Sequence, residues 1–222
     1  IAHQIKTPLA GLSLLLDVIR EEIPQEQTIQ NDIVQCFLHV ERIKEFIRQL
    51  LTISRIEAGK VRFIKEPVSI SGLFENVRQA VQTDCKLTFD CEDKDAQIYA
   101  DGQWITEALI NLVENACRVA RAAQQMQEQP EVKIVAVVHA DKCVIKVVDN
   151  GNGFADGDTT HLFDRFETQG DYASFQTGIG LNLSRLVVEA HSGTIQAYNR
   201  QDGQGAVFRV VLPQFALKQG KI

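Results

Sequence analysis

The chain has 222 residues, 45% of them hydrophobic and 23% charged, with a formal net charge of −6. That composition is globular and long enough for one large domain or two small ones, and no basic stretch stands out to neutralise phosphates, so no nucleic-acid partner is expected. No apolar run approaches the roughly 20 residues that span a bilayer, and no signal peptide opens the sequence.

The five cysteines, Cys36, Cys85, Cys91, Cys117 and Cys143, are widely spread and include no CxxC pair. They are expected to be buried free thiols in a reducing compartment, not a zinc site or a disulfide framework. The first residues read as mid-helix, so an upstream segment is expected, and any membrane attachment would lie there.

Taken in chain order, Ile5, Leu9, Leu12, Leu16, Ile19 and Ile23 recur at spacings of four and three, a helical seam that Pro24 closes. Ile29, Ile33, Cys36, Val40, Ile43, Ile47 and Leu50 form a second seam, ending at Gly59, a helix-terminating glycine. Two antiparallel helices with one apolar stripe each bury both stripes best when doubled, so the pattern predicts a homodimeric four-helix bundle. A hairpin packed on its own domain has the same periodicity. After Lys60 the texture changes. Helices are predicted over 68–81, 102–123 and 179–191, and strands over 132–140, 143–149, 194–199 and 206–212. The stretch 149–178 reads as loop. The order suggests a helix layer on a mixed sheet.

Four strings carry chemistry. In His3-Gln4-Ile5-Lys6-Thr7-Pro8-Leu9, Pro8 removes the N–H that would bond the Gln4 carbonyl, so the helix should bend beside an outward-facing imidazole. A neutral imidazole is a good nucleophile near pH 7. Asn111 and Asn115, four apart, share a helix face, and carboxamide oxygens are hard ligands suited to Mg²⁺ shared with phosphates. Asp149-Asn150-Gly151-Asn152-Gly153-Phe154 follows a strand, where glycines admit close backbone approach and a carboxylate can accept from an amino group. Gly178-Ile179-Gly180-Leu181 opens a helix, whose free N–H groups favour phosphate. Each string alone is weak: an exposed helix face, a hairpin turn and a glycine-opened helix are all common.

Together, in this order, they resemble the sensor histidine kinases of two-component signalling. HQIKTPL resembles the phospho-acceptor box, NLVENA the asparagine box, DNGNGF and GIGL the two glycine boxes, LFDRFE (162–167) the phenylalanine box, and SRIEAGK (54–60) the end of the second dimerisation helix. The resemblance implies an α+β fold: a dimeric helical hairpin over 1–60, then an α/β sandwich over 66–217 shared with gyrase, Hsp90 and MutL ATPases. It implies ATP and Mg²⁺ as cofactors, and a response-regulator receiver domain as partner. It places the fragment in the cytoplasm, below an inner-membrane sensor.

By the same resemblance His3 takes the γ-phosphoryl group, and Asn115 ligates Mg²⁺ with Asn111 close by. Arg118 contacts phosphate, and Asp149 reads the adenine amino group. Gly151, Gly153 and Phe154 belong to that pocket, and Gly178, Gly180 and Leu181 to the phosphate end. Phe163 and Phe166 are expected to pack. Thr7, on the face of His3, would orient water during dephosphorylation of the partner. Two positions depart from the pattern. Gln4 stands where an acidic residue is common: it can accept the histidine N–H but supplies no negative charge, so autophosphorylation slower than that of a Gln4→Glu variant is expected. Asn182 stands where a third glycine is common, and is expected to be harmless because asparagine tolerates left-handed backbone. Alternatives are a transmitter that mainly dephosphorylates its partner, a non-catalytic nucleotide-binding module, and a gyrase- or Hsp90-like ATPase, which would leave HQIKTPL unexplained. His39, His139, His161 and His191 read as structural or surface, with His191 at a helix C-terminus.

Overall fold

The computed structural model describes residues 11–14, 16, 17, 19, 27–93, 95–123, 129–154, 159, 161–165 and 178–214. The chain divides into two compact units, Ile1–Lys60 and Val61–Ile222.

In the first unit, residues 11–14, 16, 17 and 19 are helical, and α1 runs Gln27–Glu57. Gly59 follows at φ 64°, and its N–H and that of Lys60 bond back to the Ile56 and Arg55 carbonyls (both 2.9 Å), so the glycine ends the helix as its spacing predicts. Along the seam, Ile33 and Val40 are buried while Cys36 and Ile43 stay open. Val34 and Leu38 are also exposed, at 48% and 45%.

The second unit runs β1 (Glu66–Ser69), α2 (Ile70–Ala80), β2 (Lys86–Cys91), β3 (Gln97–Ala100), α3 (Gly102–Ala122), β4 (Glu131–Val138), β5 (Lys142–Asp149), α4 (Gly180–Ala190), β6 (Thr194–Asn199) and β7 (Ala206–Pro213). Five strands form a mixed sheet in the order β2-β4-β5-β7-β6; β2 and β4 are parallel and the other neighbours antiparallel. β1 and β3 form a separate antiparallel pair.

Three strands were not foreseen in the sequence. β1 and β3 have four residues each, too short for alternation to register. β2, at the sheet edge, carries polar residues on its open side. The helix predicted from Val68 starts at Ile70 instead. Val68 and Ser69 complete β1, and the Ser69 hydroxyl oxygen caps the helix by accepting from the Gly72 N–H (3.1 Å).

Register explains the core. Ile134 faces Val147, Ala136 faces Ile145, and Phe208, Val210 and Leu212 of β7 sit opposite Val147, Ile145 and Cys143. All are buried, as are the inward stripes of α2 (Leu73, Phe74, Val77), α3 (Ile105, Leu109, Leu112, Ala116) and α4 (Leu183, Val187, Val188). Each large side chain in such a row contributes about 1.5–3 kcal/mol by leaving water. The row ends on a carboxylate, Asp149, paired opposite Val132 and 1% exposed. An acid there opposes stability, so its presence asks for another explanation.

The cysteines depart from expectation in part. Cys85, Cys117 and Cys143 are buried, but Cys36 is exposed and Cys91 half-buried, because one lies on the open part of the α1 seam and the other ends the edge strand. Among the described residues no helix is long and apolar enough to cross a membrane.

Candidate functional site

The inward row of β5 ends at Asp149, and the chain turns there through glycine. Asp149 Oδ1 accepts from the Gly151 N–H (2.9 Å) and the Ala206 N–H (3.1 Å), which leaves Oδ2 with no protein donor among those bonds. Burial pushes the carboxyl pKa up, against the pull of those two N–H groups and of Arg200. The loop beyond is held at both ends by asparagine carboxamides. Asn150 accepts from the Glu131 N–H (2.9 Å) and donates to the Gln129 carbonyl (3.0 Å). Asn199, at the end of β6, accepts from the Phe154 N–H (2.7 Å) and donates to its carbonyl (2.9 Å), imitating one rung of a β-ladder. Gly153 lies between at φ 71°, where a Cβ would meet Asn199 Oδ1 at 2.6 Å. Phe154 stands edge-on to Phe208, with centroids 6.3 Å apart.

α3 supplies the floor. Asp101 caps it, with Oδ1 accepting from the Trp104 N–H (3.3 Å) and Oδ2 from the Ile64 N–H (2.8 Å). Beside its buried stripe runs a half-buried one, Asn111, Asn115, Arg118 and Val119, at the four-and-three spacing of one helix face. Two glycines bring other segments onto this stripe. A Cβ on Gly151 would meet Val119 Cγ1 at 2.7 Å, and one on Gly180 would meet Asn111 Oδ1 at 2.9 Å. Asp149 and its loop therefore close on one end of the stripe and α4 on the other, eight residues or about 12 Å apart along the helix. Between them Arg118 Nη2 donates to Asn115 Oδ1 (3.0 Å), and burial draws the Arg118 pKa down against the pull of Glu114.

At the other end, α4 starts after Gly178 (φ 61°) with Ile179 at the cap position and no side-chain cap from it, so among the described residues no hydroxyl or carboxylate caps its first N–H groups. Leu181 is half-buried in the first turn. Ser184 Oγ lies 3.1 Å from the Ala108 carbonyl and 3.0 Å from that of Gly180, tying α4 to α3. Oxygen donors fit a small hard cation here. Asn111 donates its amide to the Glu107 carbonyl (3.1 Å), which turns Oδ1 outward toward Gly180, and Asn115 presents Oδ1 one turn on.

His3, Gln4, Thr7 and Phe166 lie outside the described residues. The remaining predicted residues, Asn111, Asn115, Arg118, Asp149, Gly151, Gly153, Phe154, Gly178, Gly180 and Leu181, all fall on the two loops and two helices above. Phe163 is buried against Phe208, with ring centroids 6.4 Å apart. Asn182 has no need of left-handed backbone: it is helical, 2% exposed, and donates Nδ2 to the Phe163 carbonyl (2.9 Å). Asn199 and Gly205 went unnoticed in the sequence. Gly205, at φ 123°, has no room for a Cβ, which would run into the Asp149 carbonyl oxygen. The turn-like string DGQG was the only signal there, and it names no partner. His191, at the C-terminus of α4 as predicted, is buried, in keeping with the structural of the two expected roles.

Residues 100–216 match the family model described as histidine kinase-, DNA gyrase B-, and HSP90-like ATPase, and residues 1–59 match the His Kinase A (phospho-acceptor) domain. The sensor protein KdpD of Escherichia coli is 32% identical over 223 residues, which cover 96% of this chain and 24% of that protein. The sensor protein SphS of Synechococcus elongatus is 29% identical over 229 residues, covering 96% and 53%. The chain thus spans about a quarter to a half of the length of these relatives. Among solved structures, full-length ShkA in complex with AMPPNP shares the fold at a TM-score of 0.76 and 19% identity, over 96% of this chain and 44% of that one. ThkA in complex with the response regulator protein TrrA shares it at 0.66 and 21%, over 98% and 60%.

Proposed function

Because this chain belongs to the histidine kinase-, DNA gyrase B- and HSP90-like ATPase family, and within it to the two-component sensor histidine kinases, we propose that it is the catalytic transmitter core of such a sensor. The observation that carries this reading is the convergence on one stripe of α3 of a buried, half-satisfied carboxylate at one end and an uncapped helix N-terminus at the other. Residues 1–60 are the dimerisation and phospho-acceptor hairpin and 66–217 the ATP-binding domain.

ATP lies along the stripe. Asp149 accepts from the adenine amino group, and its burial makes the discrimination sharp, since a base with no donor there would leave the carboxylate unpaired. Gly151, Gly153 and Phe154 shape that end; Gly178, Gly180 and Leu181 present backbone to the phosphates. Asn115, with Asn111 beside it, would hold Mg²⁺, which when bound neutralises phosphate charge. Arg118 must then release Asn115 Oδ1 and turn to phosphate. A nitrogen of His3 attacks the γ-phosphorus, forming an N–P bond as the bond to the β-phosphate oxygen breaks and ADP leaves. An aspartate of a response-regulator receiver domain takes the group next, and Thr7 serves the reverse dephosphorylation. The open Cys36 and Ile43 beside buried Ile33 and Val40 support a homodimer, because part of the α1 seam lies open among the described residues. In the whole protein the core would sit on the cytoplasmic side of a bacterial inner membrane.

Incubation with γ-³²P-ATP and Mg²⁺ tests the reading. Acid-labile label on the unaltered chain, absent from His3→Ala, is expected. Nucleotide binding without label would instead favour a transmitter that mainly dephosphorylates, the alternative that Gln4 keeps in view.

A further inference from the structure

We propose that Asn182 and Arg185 are positioning residues that set the direction of the α4 N-terminus, and through it the discrimination between nucleoside triphosphate and diphosphate. The inference rests on the nucleotide reading of the site.

α4 is gripped from two sides. On one, Gly180 lies against Asn111, and Ser184 sits within hydrogen-bond distance of the Ala108 carbonyl, both on α3. Position 182 is roughly 200° further round the helix. There Asn182 Nδ2 donates to the Phe163 carbonyl at 2.9 Å, and three residues on Arg185 Nη1 pairs with Asp164 Oδ1 at 3.2 Å. The segment they hold, 161–165, is itself fixed: Phe163 is buried edge-on to Phe208, and the Thr159 hydroxyl just before it donates to the Ala197 carbonyl of β6 (2.9 Å). The first turn of α4 is therefore clamped between α3 and a segment anchored to the sheet.

Packing alone does not account for the amide. Asn182 Oδ1 is buried and, among the described residues, has no hydrogen-bond partner. A buried acceptor left unpaired subtracts from stability, so half of this side chain works against the fold while the other half holds the Phe163 carbonyl. Asp149, at the opposite end of the stripe, takes its hydrogen bonds from Gly151 and Ala206 and not from these groups. Loosening the clamp thus moves the N–H groups facing the terminal phosphates and leaves the adenine end in place.

The whole chain is titrated calorimetrically with ADP and with AMPPNP in the presence of Mg²⁺, alongside Asn182→Ala and Arg185→Gln, each with a thermal melt. Asn182→Ala is expected to weaken AMPPNP about five- to tenfold, the equivalent of one hydrogen bond, with ADP affinity nearly unchanged. Arg185→Gln, a half-exposed pair, should shift the ratio the same way by a smaller factor and covers the case in which Asn182→Ala does not fold. Equal weakening of both nucleotides with a lowered melting temperature would make Asn182 a packing residue, and an unchanged ratio in the folded variants would overturn the clamp. If the unaltered chain bound neither nucleotide, the reading of the site would fall and this inference with it.

Discussion

The two ends of the α3 stripe are built on opposite principles. At the Asp149 end the backbone is held from several directions: two N–H donors on one carboxylate oxygen, a carboxamide clamp on either side of the loop, and the residue before β7 pressed against the Asp149 carbonyl. At the α4 end the contacts are provisional. Asn115 Oδ1 is lent to Arg118, Ile179 offers α4 no side-chain cap, and on the side away from α3 its first turn is held by the single Asn182–Phe163 hydrogen bond. A base is rigid and read by fixed groups. A phosphate chain with its cation arrives, is cleaved and leaves, and needs groups that change partners. On the nucleotide reading proposed above, the firmly held end faces the base and the adaptable end the phosphates.

The largest effect is expected at the stiff end. Gly205→Ala places a methyl group against the Asp149 carbonyl at a φ that side chains rarely adopt. It should cost roughly 1–3 kcal/mol from backbone strain alone, and the displaced Asp149 should lose nucleotide. A urea titration and a nucleotide titration on the same preparation check both. A variant as stable as the parent that still binds ATP would show this end to be as yielding as the other.

Asp149→Asn separates recognition from stability. Nucleotide affinity should fall roughly ten- to a hundredfold, the usual worth of a hydrogen bond to a charged group. The melting temperature near pH 7 should hold or rise. The sign follows from burial: a carboxyl whose folded pKa is raised binds its proton more tightly folded than unfolded, so stability declines as pH climbs through that window and the ionised form is the costly one. By the same shift, affinity should weaken as pH falls toward the raised pKa, because a protonated carboxyl offers the adenine amino group a poorer acceptor. A pH series of titrations reads this directly.

How much of this was legible before the structure depended on where the constraint lives. Asp149, Gly151 and Gly153 are neighbours in sequence and act on the same few ångströms, so their string shows the site. Asn111, Asn115 and Arg118 follow helical periodicity, which also survives in one dimension. Gly205 and Asn199 take their meaning from Asp149 and Phe154, far away along the chain, and only β5–β7 and β6–β7 pairing brings them together. β1 and β3 were missed because four residues cannot display a period. Asn182 is visible in the sequence, but its backbone tolerance says nothing of the buried amide contact with the Phe163 carbonyl, which only the folded chain brings about.

At the adaptable end a smaller effect is expected from Arg118→Ala. The guanidinium is half-buried and its charge is opposed by desolvation, so the fold should lose little. AMPPNP affinity should fall about tenfold, as for one lost charged hydrogen bond, while adenosine affinity stays put. Equal losses for the two ligands would mean that Arg118 braces the whole stripe and that the contrast between its ends is overdrawn.

The smallest effect concerns the far end of α4, where stiffness returns. His191 donates Nδ1–H to the Val187 carbonyl (2.8 Å), since a carbonyl only accepts, and its bare Nε2 accepts from the Asp101 N–H (2.9 Å). Phe63 stacks edge-on against it at 5.5 Å and also packs on Trp104. α4 and α3 are thus joined at the cap of α3, at the far end of α4 from Gly180. The arrangement holds only for neutral imidazole, because a proton on Nε2 would face a donor. Burial lowers the pKa first and Lys65 adds to it, while the Val187 carbonyl and Asp101 pull the other way. A histidine with a depressed folded pKa lets the unfolded chain take the proton first, so stability is complete above the ordinary value of about 6.5 and drains away as pH falls from there to the folded pKa. Melting temperatures between pH 7.5 and pH 5 should therefore drop more steeply for the parent than for His191→Gln, which lacks the titrating group. Equal slopes would mean that the α4 C-terminus gives way before His191 charges, and that the helix is held by its nucleotide end after all.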